Sequence, residues 1–251
     1  MTMQGMTRKY LSDFEVLSFD CYGTLIDWET GIWDALQPLL MHNGGSGPSR
    51  SEALALFAAE EHRIEELQPG LAYPDVLAGV HAALAAESGL RSSVELDRDF
   101  GGSVAHWPAF PDTAEALRFL QRRYRLVILS NIDRSSFAAS NRKLGVMFDA
   151  VCTAQDIGSY KPAPANFQFL VEHVKREFGV SRERILHTAQ SLYHDHAPAR
   201  ACGLANCWID RQRLSLGGAW GATAVMAERP EVDFLYFSLA EMAEAVLGED
   251  S

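Results

Sequence analysis

The apolar positions of this chain change their period near residue 28 and again near residue 111. Val16-Leu17-Ser18-Phe19 is an apolar run of strand length that delivers Asp20 to a Gly23-Thr24 turn. From Trp28 to Met41, Ile32, Trp33, Leu36, Leu39 and Leu40 recur at helical spacing, and the glycine-rich stretch His42 to Pro48 breaks that helix. A second helix is predicted from about Ser51, as its N-cap, to Leu67, where Gln68-Pro69-Gly70 ends it. Pro74 to Glu87 reads as a third helix, and a shorter fourth element runs from about Ser93 to Gly101 and Gly102. No strand pattern interrupts residues 29–110.

From Pro111 onward helices and strands alternate. The predicted order is helix 111–123, strand 125–130, helix 134–145, strand 148–152, helix 163–178, strand 184–189, helix 196–202 and strand 205–209, then a last strand at Phe234 to Phe237 with a closing helix. Such alternation implies an α/β fold, a doubly wound parallel sheet with right-handed crossovers. The chain then divides into a core of residues 1–28 and 111–251 and an inserted helical cap of residues 29–110, with hinges near Asp27-Trp28 and Phe110-Pro111. In open parallel sheets ligands sit outside the carboxyl ends of the strands, so Asp20 is expected at the edge of a substrate crevice.

Composition narrows the partners. Lys plus Arg number 22 against 33 Asp plus Glu, a net charge of -11, which disfavours nucleic acid and anionic membrane surfaces. Cys21, Cys152, Cys202 and Cys207 show neither a CxxC pair nor zinc-ligand spacing, and read as free thiols of a reducing compartment. The segment Met1 to Tyr10 has no apolar signal region, and no apolar run approaches membrane-spanning length, so a cytoplasmic protein is expected.

Seven positions carry the candidate chemistry, each with a plainer reading beside it. Asp20 is either a nucleophile or an acid that closes a turn. Lys161, between Tyr160 and Pro162, is either a buried partner for a carboxylate or a solvated surface lysine. Thr24, Ser130 and Asn131 sit where strands end, as hydroxyl and amide donors or as turn and helix caps. Asp195 is either a site acid or the N-cap of the helix that follows it. Tyr22 lines a pocket, packs over the turn, or does both.

The ordered set Asp20-x-Tyr22-Gly23-Thr24, Leu129-Ser130-Asn131, Tyr160-Lys161-Pro162 and Asp195 resembles the motifs of the haloacid dehalogenase (HAD) superfamily, from about Phe14 to Arg211. Within it the chain is most similar to the type II L-2-haloacid dehalogenases. That resemblance implies a Rossmann-like HAD core and a hydrolase acting on carbon–halide bonds. A short 2-haloacid would lose its halide through a covalent ester on Asp20. Asp20, Lys161, Asp195 and Thr24 would be catalytic, and Tyr22, Ser130 and Asn131 would bind substrate. Lys161 would keep the nucleophile ionised, Ser130 would hold the substrate carboxylate, Asn131 would meet the halide, and Asp195 would pair with the lysine and help place the hydrolytic water. Lys161→Ala is expected to cut turnover by orders of magnitude with the fold intact.

No metal or cofactor is required by this reading. In the superfamily's phosphatases the residue two after the nucleophile is a second Asp that protonates the leaving alkoxide, and here it is Tyr22. A magnesium-dependent phosphatase, with Asp20, Asp195 and the backbone after Cys21 on the ion, is the nearest rival, and a binding protein that keeps the fold without turnover is another. Two positions depart from the dehalogenase pattern. Gln190 and Ser191 stand where a Ser-Ser-Asn run is usual, and the cap arginine that gathers the halide has no firm match, Arg50 and Arg63 reading as surface residues. His194 and His196 flank Asp195 and could titrate near neutrality. The partner is a small molecule, and a homodimer is compatible with the resemblance.

Overall fold

The computed structural model describes residues 9–219, 221–222 and 226–249. Residues 1–8, including most of the segment read for an absent signal region and the first part of the expected core, lie outside the described residues. In chain order the principal elements begin with β1 (Val16–Phe19), α1 (Trp28–His42), α2 (Arg50–Leu67), α3 (Tyr73–Glu87), α4 (Val94–Gly101), α5 (Thr113–Leu120) and β2 (Arg125–Ser130). They continue with α6 (Arg134–Leu144), β3 (Ala150–Thr153), α7 (Ala154–Ile157), α8 (Pro164–Phe178), β4 (Ile185–Ala189), α9 (Ala197–Ala201), β5 (Ala205–Ile209), β6 (Phe234–Tyr236) and α10 (Leu239–Glu249).

The strands form one parallel sheet in the order β3-β2-β1-β4-β5-β6. Strand β1 is therefore flanked on both sides by strands that follow it in sequence, and the order reverses beside it. That reversal opens the crevice used by ligands in doubly wound folds. β1, β4 and β5 are buried throughout, which is why they read as near-continuous apolar runs.

Helices α1 to α4 lie between β1 and β2 and add no strand to the sheet. The two connections to them run side by side. Ile26 bridges Ala109, the Asp27 amide donates to the Pro108 carbonyl at 2.8 Å, and the Phe110 amide donates to the Leu25 carbonyl at 3.1 Å. A single cluster of buried apolar side chains runs from Leu17, Phe19 and Leu25 under the sheet through Ile32 and Leu36 to Phe57, Val76 and Leu77 in the inserted helices. Helix α1 approaches Trp107 closely at Gly31, where a Cβ would stand 2.3 Å from the indole Cγ.

Local chemistry moves several boundaries from their predicted places. Ser49, not Ser51, caps α2, in a capping box with Glu52. The stretch after β3 is not all loop, because Thr153 caps the single-turn α7. Asp195 does not cap α9. It lies within a π-helical turn, Leu192–His196, that is capped by Ser191 and runs directly into α9. Such turns widen a helix locally and are frequent at functional sites. Among the described residues no helix is long and apolar enough to cross a membrane.

Candidate active site

Asp20 follows the last residue of β1, with its backbone amide donating to the Thr188 carbonyl at 3.1 Å. The chain then turns tightly: the Leu25 and Ile26 amides donate back to the Cys21 carbonyl, and Gly23 takes a φ of +90°. A side chain there would be strained and would press against Trp28 and Gln190. This turn brings the Thr24 hydroxyl back to donate to Asp20 Oδ2 at 2.8 Å, while Thr24 Oγ1 accepts the Gln190 amide at 2.9 Å.

Lys161 completes the other side. Its ammonium donates to Asp20 Oδ1 at 2.8 Å, to Asp195 Oδ1 at 2.6 Å and to the Leu129 carbonyl at 3.2 Å. With 3 % of its surface exposed, Lys161 is not a solvated lysine. Burial works against its charge, but Asp195 and Asp20 outweigh that penalty and hold its pKa above the ordinary value. Burial would also raise Asp195, yet Lys161 and His187 hold it well below the usual carboxylate range. Burial raises Asp20; Lys161 draws it back, Asp195 adds to the rise, and the net shift is upward. The ammonium thus stands between two carboxylates, and Asp20 is the one that more readily takes a proton.

His187 was not singled out by sequence. In the β1–β4 register it lies opposite Ser18, whose hydroxyl is 2.9 Å from His187 Nδ1, and His187 Nε2 is 2.9 Å from Asp195 Oδ1. A carboxylate accepts, so Nε2 carries the proton toward Asp195, and a neutral ring then accepts from Ser18 at Nδ1. The only signal was a histidine inside an apolar strand, Ile185-Leu186-His187-Thr188-Ala189. Arg211 was missed as a brace: it donates to the Thr24 carbonyl at 2.8 Å and pairs with Asp112 at 2.7 Å, fixing the outer edge of the turn.

All the nominated residues except Thr24 line one cavity of about 530 Å3, and Thr24 stands behind Asp20. That size falls within the range of about 300–1,000 Å3 usual for small-molecule sites. Tyr22 both lines it and packs: its ring stacks on Tyr73 and meets Trp107 edge-on, and its hydroxyl is 2.9 Å from Ser140 Oγ. The Ser130 hydroxyl is buried without a hydrogen-bond partner among the described residues. Asn131 lines the wall but is not free to serve as a cap. Its Oδ1 accepts the Lys161 amide at 2.6 Å and its Nδ2 donates to the Lys161 carbonyl at 3.0 Å. The cap of α6 is Asp133.

The inserted helices close the cavity with Trp28 of α1, with Ala55, Ala58, Glu61, His62 and Glu65 of α2, and with Tyr73 of α3. Neither candidate arginine reaches it. Arg50 donates to Thr30 Oγ1 and Arg63 pairs with Glu60, both on the surface. Gln190 is held by Gln212 and Thr24, and Ser191 spends its hydroxyl on the π-helical turn. His194 lines the cavity and His196 is buried against the Ala189 carbonyl. Burial pushes both down to about 4, so neither titrates near neutrality as their sequence position suggested.

Residues 14–189 match the sequence profile of the haloacid dehalogenase-like hydrolases. The chain belongs to that family. Several haloacid dehalogenase structures share its fold. The L-2-haloacid dehalogenase of Xanthobacter autotrophicus, with chloropropionic acid covalently bound, is 18 % identical with a TM-score of 0.73, over 94 % of this chain and 99 % of that one. The defluorinating L-2-haloacid dehalogenase Rha0230 is 16 % identical with a TM-score of 0.74, over 92 % and 94 %. The HAD-hydrolase YfnB from Bacillus subtilis, bound to magnesium, is 19 % identical with a TM-score of 0.71, over 92 % and 97 %. A comparison with curated proteins gave no match. This haloacid dehalogenase-like hydrolase thus shares its fold with proteins that carry different ligands in the same architecture.

Proposed function

We propose that the protein is a hydrolytic dehalogenase that removes halide from a 2-haloacid through an ester on Asp20, with residues 29–110 acting as the cap over the site. One observation carries this reading: Asp20 is oriented by both the Lys161 ammonium and the Thr24 hydroxyl in the wall of the cavity, while the position two residues on offers no carboxylic acid. A nucleophile fixed in this way reacts by proximity and alignment. An Asp20 oxygen attacks the sp3 carbon, the carbon–halogen bond breaks with its electron pair, and halide departs without needing a proton. Water then adds to the Asp20 carboxyl carbon, the ester's acyl C–O bond breaks, and Asp20 returns to its starting state. One proton of that water ends on the product hydroxyl and the other is released. Both polar contacts of Asp195 fall on Oδ1, which leaves Oδ2 to orient the water.

A magnesium-dependent phosphatase suits the donor set less well. Lys161 occupies the space between the two carboxylates, so an ion shared by Asp20 and Asp195 would have to stand beside its ammonium. Tyr22, tied to Ser140 and packed between Tyr73 and Trp107, has no acid to give a departing alkoxide.

The test is halide release from 2-chloro- and 2-bromoacids in excess EDTA, run beside a phosphoester panel. Release undiminished by EDTA is expected. In a single turnover in heavy-oxygen water with enzyme in excess, the label should enter Asp20 and the first product should stay unlabelled. Phosphoester hydrolysis abolished by EDTA would replace the reading with the phosphatase, and binding without any turnover would make the protein a ligand-binding member of the family.

A further inference from the structure

The cavity is lined by more acids than bases. Asp20, Glu61, Glu65 and Asp195 line it, and Lys161 is the single lysine or arginine among the described lining residues. Lys161 is already shared by Asp20 and Asp195. Glu61 and Glu65 are one helical turn apart on α2, so their side chains project from the same face. Glu61 accepts from the Tyr73 hydroxyl at 2.7 Å. Glu65 is 8 % exposed and has no hydrogen-bond partner among the described residues. A buried side chain whose carboxyl meets only the cavity is costly to charge, and a second acid beside it adds to that cost. Across the cavity the buried Ser130 hydroxyl is unpartnered as well.

We propose that Glu61 and Glu65 form a subsite for a cationic group of the substrate, an ammonium at the end of an alkyl chain. The inference rests on the reading of Asp20 as the nucleophile of this cavity, and it makes the substrate a halogenated acid that also carries an amine. An ammonium has three donors on a compact charge. It would supply the hydrogen bonds Glu65 lacks and favour the ionised form of both acids. Burial raises Glu61 to about 7 and, with Glu61 beside it, raises Glu65 well above its ordinary range. Both acids are thus uncomfortable as anions until a cation arrives.

Binding and turnover are measured separately. Calorimetric titration of the wild-type protein with pentylammonium and with pentanoate, two ligands of similar length and no halogen, should show the ammonium binding about tenfold tighter or better. Glu65→Gln should cut pentylammonium affinity by about tenfold and leave pentanoate unchanged or tighter, and Glu61→Gln should act in the same direction. Circular dichroism of both variants checks that they fold. The wild-type comparison stands without either variant. Halide release is then compared between 6-amino-2-chlorohexanoate and 2-chloroheptanoate, where the amine should lower KM with little change in kcat, an advantage lost in Glu65→Gln.

Pentanoate binding as tightly as pentylammonium in the wild type, or pentylammonium affinity unaltered in both variants, would overturn the proposal. Absence of halide release from either acid, with the ammonium preference intact, would instead remove the dehalogenase reading and leave the cationic subsite standing.

Discussion

Removal of the Lys161 ammonium would leave Asp20 and Asp195, both buried, facing each other with no positive charge between them. Breaking a buried pair in this way typically costs about 3–5 kcal/mol, because the remaining charges stay out of water. Lys161→Met should therefore lose stability by that order in urea denaturation as well as turnover, by roughly a hundred- to thousandfold. The sequence expectation of an intact fold assumed a residue whose loss would be felt only by the substrate, and burial changes that. A pH dependence follows from the same group. Asp20 must be ionised to attack, and its pKa is raised by burial, so activity should fall on acidification at a higher pH than an ordinary carboxylate would give. The acid limb of kcat/KM against pH measures it; a limb at or below the ordinary aspartate range would contradict the shift. Asp20, Thr24, Lys161 and Asp195 were legible because each sits at a strand end or in the loop after it, at a spacing the resemblance could match. His187 was not, since it enters through a cross-strand register that only the folded sheet defines. Glu61 and Glu65 were hidden for another reason: in the glutamate-rich α2 nothing local separates an acid aimed at a cavity from one facing solvent.

At the level of elements, the period of apolar positions located the inserted helices and the alternating core, and failed where capping or a tight crossing decides. The π-helical turn at Leu192–His196 is an example. Its position depends on Ser191 folding back on the His194 amide and on Asp195 reaching Lys161, contacts that periodicity does not encode. The crossing of α1 with Trp107 is another. Gly31 lies in a helix interior, where glycine costs about 1 kcal/mol relative to alanine, so propensity alone would recommend the exchange. The structure reverses that sign. An added methyl would sit 2.3 Å from Trp107 Cγ, and the indole is pinned by its own bond to Ser103 at 3.1 Å. Gly31→Ala should destabilise by about 1–3 kcal/mol as an overpacked core does, read as a lowered midpoint in denaturant with unchanged slope. A stabilised variant would show that the indole has room to turn aside.

For the molecule as a whole, composition argued against strongly anionic partners but gave no hint that the acidity extends into the cavity. With a net charge of -11 and an acidic cavity wall, the protein should attract cations over long range and lose that attraction as salt rises. If the amine-bearing substrate class is right, kcat/KM for 6-amino-2-chlorohexanoate should fall with ionic strength, whereas that for 2-chloroheptanoate should hold steady or rise. Stopped assays between low and physiological salt measure this, and parallel curves for the two acids would count against steering.

The apolar cluster that passes from beneath the sheet into the inserted helices has a consequence for anyone wishing to take the protein apart. An insertion joined by two adjacent connections looks like something a short linker could replace. Here the excision would remove Ile32 and Leu36 and strip cover from the Phe19, Leu25 and Ile26 side of the sheet. The trimmed core would be a sticky fragment, not a minimal enzyme. The helices over the cavity are structural masonry as well as a roof, and transplanting specificity from a relative would have to proceed by exchanging side chains on the cavity face of α2, leaving the buried seam untouched.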